Sequence, residues 1–197
     1  VKDPAFHLSA KTRSSGMFDI FIEKDGPMIP LIHDSSNLQI SIDFSNTDYF
    51  YDVSGSPASK QLRTFINEYI KGYLPEFRAN FELDSLKKIN APDSLLIIAT
   101  NQKNVQIETL NGLLRNYITS ATNPYLALYI IGIAQRRFTP VVFEKMLYDL
   151  LVKFPGNEEL TAYKKQYELF KQQQTAMEKK TWIGKQIPEF SLPDTLG

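Results

Sequence analysis

Cysteine is absent from the 197 residues, which removes thiolate nucleophiles, disulfides and thiolate-ligated metal sites together. Hydroxyls are then the available nucleophiles, and a Ser-His-Asp arrangement would have to recruit His7 or His33, the two histidines of the chain. His7 lies between Phe6 and Leu8 on the polar parity of a short strand, the position of a solvated strand residue. His33 and Asp34 end another strand at a turn, where a turn pair with a local hydrogen bond is expected. Two distant histidines and scattered carboxylates lack the clustered spacing of a zinc or calcium site, so no metal is expected. Glu158 and Glu159 are neighbours on one helix and point apart rather than across a cleft, which excludes paired acid/base work and suits a helix start.

Two stretches admit a binding reading beside a plainer one. Val53-Ser54-Gly55-Ser56-Pro57 places a glycine-containing loop before a helix, the geometry that holds phosphate. It lacks the lysine and the repeated glycines of a P-loop, so a strand-to-helix turn capped by Ser56 is expected. Tyr49, Phe50 and Tyr51 could line a groove for a peptide or sugar, but a strand face covered by helices accounts for the same residues. No catalytic, cofactor-binding or metal-binding residue is therefore assigned.

The elements that would position these groups fall into two kinds. Leu38, Ile40, Ile42 and Phe44 alternate with Gln39, Ser41 and Asp43, and Phe18, Ile20 and Ile22 alternate with Asp19 and Glu23, the period of half-buried strands. Weaker candidates run from Phe6 to Ala10, Met28 to Ile32 and Tyr49 to Val53. The short breaks between them favour an antiparallel meander. From Ser56 the period becomes helical: Leu62, Phe65, Ile66, Tyr69, Ile70 and Tyr73 form one stripe. Ile107, Leu110, Leu114, Tyr117 and Ile118 form a second, with Gly112 as a weak point inside it. Phe143, Met146, Leu147, Leu150, Leu151 and Phe154 form a third, and Leu160, Tyr163, Tyr167 and Phe170 a fourth. Ser56-Pro57, Asn123-Pro124 and Thr139-Pro140 each put a capping side chain before a first-turn proline. Pro155-Gly156 stops one helix. Between Pro75 and Asn104 only a helix interrupted near Ala91-Pro92 is legible.

Composition agrees with a packed globular chain. Hydrophobic residues make up 43%, while 22 basic residues balance 22 acidic ones, so no field for nucleic acid is present. The uncharged run from Asn116 to Ala134 includes several polar residues, and its apolar part falls short of the ~20 residues of a bilayer span. No transmembrane segment is read. Tyr125 to Ala134 instead suggests the most buried helix. The first residue is Val1 rather than Met, and no basic-then-apolar leader precedes the first strand-like run, so any export signal would lie outside these residues.

The last residues change character, because Pro188 and Pro193 forbid a regular helix while Ile187, Phe190 and Leu192 stay apolar. The run from Ile183-Gly184 through Pro188-Glu189-Phe190-Ser191-Leu192 to Asp194-Thr195-Leu196-Gly197 resembles the opening of the thioredoxin-like domain in peroxiredoxin and TlpA-like proteins. The order Gly16-Met17-Phe18, Asn37-Leu38-Gln39-Ile40, Val53-Ser54-Gly55-Ser56, then Leu62 and Phe65 resembles the β-rich domain of unknown function that precedes such domains in exported Gram-negative proteins.

The resemblance implies a covalently linked, carboxy-terminal thioredoxin-like domain that acts on disulfides with a Cys-x-x-Cys pair absent from these residues. It also implies an exported protein, periplasmic or lipid-anchored, and a β domain with more strands than are counted here.

The expectation is thus an α+β protein. Residues 1–55 form an antiparallel, meander or sandwich-like β subdomain, residues 56–180 a helical bundle region, and residues 181–197 a linker with the start of the redox domain. The expected role is accessory: dimerisation as a homodimer, positioning of the redox domain, or presentation of client proteins, without cofactor. The alternative is a ligand- or peptide-binding module on a tetratricopeptide-like scaffold. A hydrolytic enzyme built on His33 is a third reading.

Overall fold

The computed structural model describes residues 15–24, 26–34, 37–45 and 50–180. His7, the strand expected from Phe6 to Ala10, Tyr49 and the tail from Ile183 to Gly197 lie outside the described residues.

Among the described residues four strands come first: β1 (Gly16–Phe21), β2 (Met28–His33), β3 (Gln39–Ile42) and β4 (Tyr51–Ser54). Five helices follow, α1 (Pro57–Lys88), α2 (Asp93–Ser120), α3 (Pro124–Ala134), α4 (Pro140–Lys153) and α5 (Glu158–Lys180). The class is α+β, as the switch from a two-residue to a helical period predicts. The chain divides into two compact units, Val1–Asn157 and Glu158–Gly197.

The strands pair antiparallel as two separate hairpins, β1 with β2 and β3 with β4, rather than as one continuous meander. Gly16 stands opposite His33 and Phe21 opposite Met28 in the first, and Gln39 opposite Ser54 and Ile42 opposite Tyr51 in the second. A two-stranded hairpin has an apolar face and no means of covering it alone. Here Ile29 and Leu31 of β2 cluster with Tyr51 and Val53 of β4, with Ile20, Ile40 and Ile42 packed against them. Facing the hairpins together buries both apolar faces, which edge pairing would leave open. The outer positions of the same alternation stay exposed, Phe21 and Met28 among them.

The first helix starts where Ser56-Pro57 predicts, with the Ser56 hydroxyl accepting from the Ser59 N–H. It then runs for 32 residues, straight through Pro75. That proline has no N–H to donate to the preceding turn, but buried Glu76, Ala79 and Leu83 just after it tie this part of α1 into the packing. The helix closes with Asn90 at φ 51°: Asn90 N–H donates to Lys87 O at 3.1 Å and Ala91 N–H to Leu86 O at 3.0 Å, the paired bonds of a Schellman end. Pro92 and Asp93 then begin α2. The second helix returns close along α1. A Cβ at Gly72 would sit 2.9 Å from Leu110 Cδ1, so the absent side chain lets the helices approach.

The third helix is capped by Asn123, whose Oδ1 accepts from Tyr125 and Leu126 N–H at 2.9 and 3.3 Å. It is buried along Leu126, Ala127, Ile130, Ile131 and Ala134, as its apolar composition predicts. The fourth begins after Thr139, but that hydroxyl makes no cap bond. Thr139 sits at φ −61°, unlike Ser56 at −130° and Asn123 at −120°. Lys153 at the end of α4 donates to Thr119 O at 2.6 Å, satisfying a carbonyl of the last turn of α2. In unit 1 the core centres on Leu62, Phe65, Leu110, Leu114, Ile130 and Phe143, each at 1% exposure or less. Each contributes roughly 1.5–3 kcal/mol of burial.

The second compact unit contributes α5. Glu158 and Glu159 occupy its first turn, where the dipole favours carboxylates. A Lys164–Glu168 pair at 3.6 Å and Lys171 Nζ 5.8 Å from the Tyr167 ring centre decorate its surface.

Candidate functional site

Among the described residues of unit 1, polar side chains converge at two places, and both can be built up from the elements just described. The first is the junction of β2 with α1. The Ser56 hydroxyl accepts from Ser59 N–H at 2.9 Å and donates to Ile32 O at 2.7 Å. The Ser59 hydroxyl accepts from Ile32 N–H at 2.8 Å and donates to the same carbonyl at 2.7 Å. Asp34 reaches across 24 residues of sequence, and its Oδ2 accepts from Ala58 N–H at 2.9 Å. Gly55, at φ 85°, makes the turn possible: a Cβ there would lie 2.1 Å from Asn37 O.

This junction gathers two serines, His33 and Asp34, the residue types of a hydrolytic triad. Its wiring does a different job. Both hydroxyls are buried and both donate to a backbone carbonyl, so neither is poised to lose its proton to an imidazole. His33 instead meets Phe18 edge-on, ring centres 6.3 Å apart. The Ala58 and Ser59 amides of the first turn are taken by Asp34 and Ser56, which leaves them unavailable to a phosphate. His33–Asp34 is thus more than the local turn pair its position predicts, because Asp34 is a cap for α1. Nothing in the local sequence pointed to that long-range bond. His33 Nδ1 and Asp34 Oδ1 are buried atoms without a hydrogen-bond partner among the described residues.

The second place lies between helices. Arg137, in the turn after α3, donates through Nη1 and Nη2 to Glu76 Oε1 and Oε2 at 3.3 and 2.6 Å, and through Nε to Asn111 Oδ1 at 3.0 Å. The Arg137 and Glu76 side chains are only 13% and 11% exposed. Burial works against the Arg137 charge, but the hydrogen bonds and charge of Glu76, together with Tyr69, hold its pKa above the ordinary value. One guanidinium thereby fastens α1, α2 and the α3–α4 turn. Sequence reasoning missed this trio, since its members lie 61 and 26 residues apart and Arg137 reads as the charged end of an apolar helix.

Aromatic residues also gather in unit 1. Phe65 sits among Tyr117, Tyr69 and Tyr129, with ring centres at 5.0, 5.7 and 6.2 Å. Burial, then a hydrogen bond from its hydroxyl to Glu68 at 2.9 Å, pushes Tyr117 up to about 12. Burial likewise lifts Tyr51 to about 12, with the nearby Arg63 charge pulling the other way. Among the described residues Tyr51 is not set in an open groove. Tyr51 is buried, and α1 lies over β4, with Arg63 Nε donating to Tyr51 O at 2.6 Å and Arg63 Nη1 3.1 Å from Asp52 Oδ1.

Apolar side chains also stay exposed on α1. Ile70, Tyr73, Leu74, Phe77 and Phe81 on α1 are 43% to 68% exposed. They share one face, about 155° round the helix from buried Ala79 and Leu83 at 100° per residue. Tyr73 lies between Tyr69 and Phe77, 6.3 Å from each ring centre. No group of three or more metal-ligating side chains occurs among the described residues, and none of the described helices is long and apolar enough to cross a membrane. Comparison with protein-family models, with curated proteins and with solved structures finds no match to the chain.

Proposed function

We propose that the chain is a non-catalytic accessory module of a thioredoxin-like thiol-disulfide oxidoreductase of the Gram-negative cell envelope. It carries no cysteine, so the dithiol chemistry belongs to a linked redox domain, for which the Ile183 to Gly197 resemblance argues. The single structural observation in its favour is the ordered apolar stripe of α1, exposed on a helix whose other face is already packed. A stripe of this kind is a contact surface. In this role the module pairs copies, positions the redox domain or presents clients, in an exported, periplasmic or lipid-anchored protein.

The tetratricopeptide-like alternative is less favoured. A repeat of that family packs two helices into about 34 residues, whereas α1 alone has 32. The pair α3 and α4, with 11 and 14 residues, is the part of unit 1 that fits such a repeat.

Reading the gene beyond the codon for Gly197 tests the proposal. A Cys-x-x-Cys within a thioredoxin-like pattern in roughly the next hundred codons is expected. A frame that continues without one, or that ends there, overturns it.

A further inference from the structure

We infer that the exposed stripe of α1 is the seam of a parallel homodimer, in which α1 of a second copy lies alongside α1 of the first. The inference rests on the reading of that stripe as the module's contact surface and names its occupant. Ile70, Leu74, Phe77 and Phe81 recur at steps of four, three and four residues, the a and d spacing of a two-helix seam. The opposite positions, Phe65, Gly72 and Ala79, face inward: Phe65 and Ala79 are buried, and Gly72 abuts Leu110. The seam is therefore additional to the packing of α1 on α2.

Size and charge fit a second copy. An aromatic side chain presents roughly 150–250 Å², so the five residues, at 43% to 68% exposure, offer on the order of 500 Å² of largely apolar surface. With a polar rim this approaches the ~800 Å² per partner of a stable interface. The formal net charge is zero, so two copies meet without long-range repulsion. Tyr69, Tyr73 and Phe77 are already laddered, which lowers the cost of ordering them on contact.

Flanking residues choose the direction. With Leu74 and Phe81 at a and Ile70 and Phe77 at d, the e positions are Lys71 and Arg78, and Tyr73 is at g. An antiparallel pair sets e beside e and opposes cations. A parallel pair sets g beside the e position five residues on, bringing Tyr73 of one copy to Arg78 of the other, a cation–π contact. Asp84 and Lys88 hold the next d and a positions and end the seam, leaving a contact roughly 16 Å long.

Sedimentation equilibrium of the 197-residue chain is expected to give a dimer at micromolar concentration. The Phe77→Glu/Phe81→Glu variant is expected to weaken it by at least about 100-fold with the same helical circular dichroism, because both side chains are exposed, and to melt as the wild-type chain does when diluted to monomer. Since the chain has no cysteine, Leu74→Cys is expected to give a disulfide-linked dimer on mild oxidation, and Tyr148→Cys, exposed on α4, is expected not to. A monomeric chain, a dimer indifferent to the double variant, or Leu74→Cys that fails to cross-link would overturn the inference. A monomer would leave the accessory role standing, and that role falls on the gene's missing Cys-x-x-Cys instead.

Discussion

Arg137 closes two hydrogen bonds on the Glu76 carboxylate, at 3.3 and 2.6 Å, across 61 residues of sequence and in a largely buried setting. The pair joins the turn after α3 to the part of α1 just beyond Pro75. Its value lies in being complete, because desolvating either partner alone is costly.

Removing one partner should therefore hurt more than removing both. Glu76→Leu is expected to cost about 3–5 kcal/mol, and Glu76→Leu with Arg137→Met to recover much of that loss. Urea unfolding of the two single variants and the double variant checks this. A double variant as unstable as the sum of the singles would contradict it.

At the β2–α1 junction, Ser59→Ala takes from Ile32 N–H its hydroxyl acceptor and from Ile32 O one of its two hydroxyl donors. The expected loss is about 1–3 kcal/mol. Ser56→Ala, which removes the cap, should cost about 1–2 kcal/mol. Thermal unfolding followed by circular dichroism measures both.

Gly55→Ala is expected to destabilise by about 1–3 kcal/mol, since φ is 85° and the new methyl would meet Asn37 O. Gly112→Ala, in open space within α2, should instead stabilise by about 1 kcal/mol. Opposite shifts in the urea midpoint are the expected readout.

Alkaline pH should unfold the protein through its tyrosines. Burial first, and then Glu68 for Tyr117, lifts Tyr51 and Tyr117 from 10 to about 12. The unfolded chain loses these protons near pH 10 and the folded chain near pH 12, so between those values the unfolded state binds fewer protons. Stability is full below pH 10 and falls as pH rises toward 12. Tyrosinate absorbance should show these two residues ionising last, and Tyr117→Phe should make the alkaline loss less steep.

Much of the fold was legible in periodicity and punctuation. Ser56-Pro57, Asn123-Pro124 and Thr139-Pro140 mark real helix starts, and Ala91-Pro92 marks the break between α1 and α2. The passage of α1 through Pro75 was not legible, because that continuity rests on tertiary packing around Glu76 and Ala79. Nor was the division of the strands into two hairpins, which depends on how apolar faces meet rather than on any one strand's alternation. Asp34 and Ser59 at the junction, and Arg137 with Glu76, are side-chain bonds over long sequence separations. Local patterns carry no trace of them. The outer stripe of α1 was partly visible through Ile70 and Tyr73, but only the burial of α1's other face separates it from the core stripe of Leu62 and Phe65.

That these residues serve a redox neighbour without performing its chemistry is tested most directly by disulfide reduction with the full-length gene product. Its rate on a small-molecule disulfide should survive deletion of residues 1–180, while its rate on a protein disulfide falls. Loss of the small-disulfide rate on that deletion would place catalytic groups in this chain and contradict the proposal.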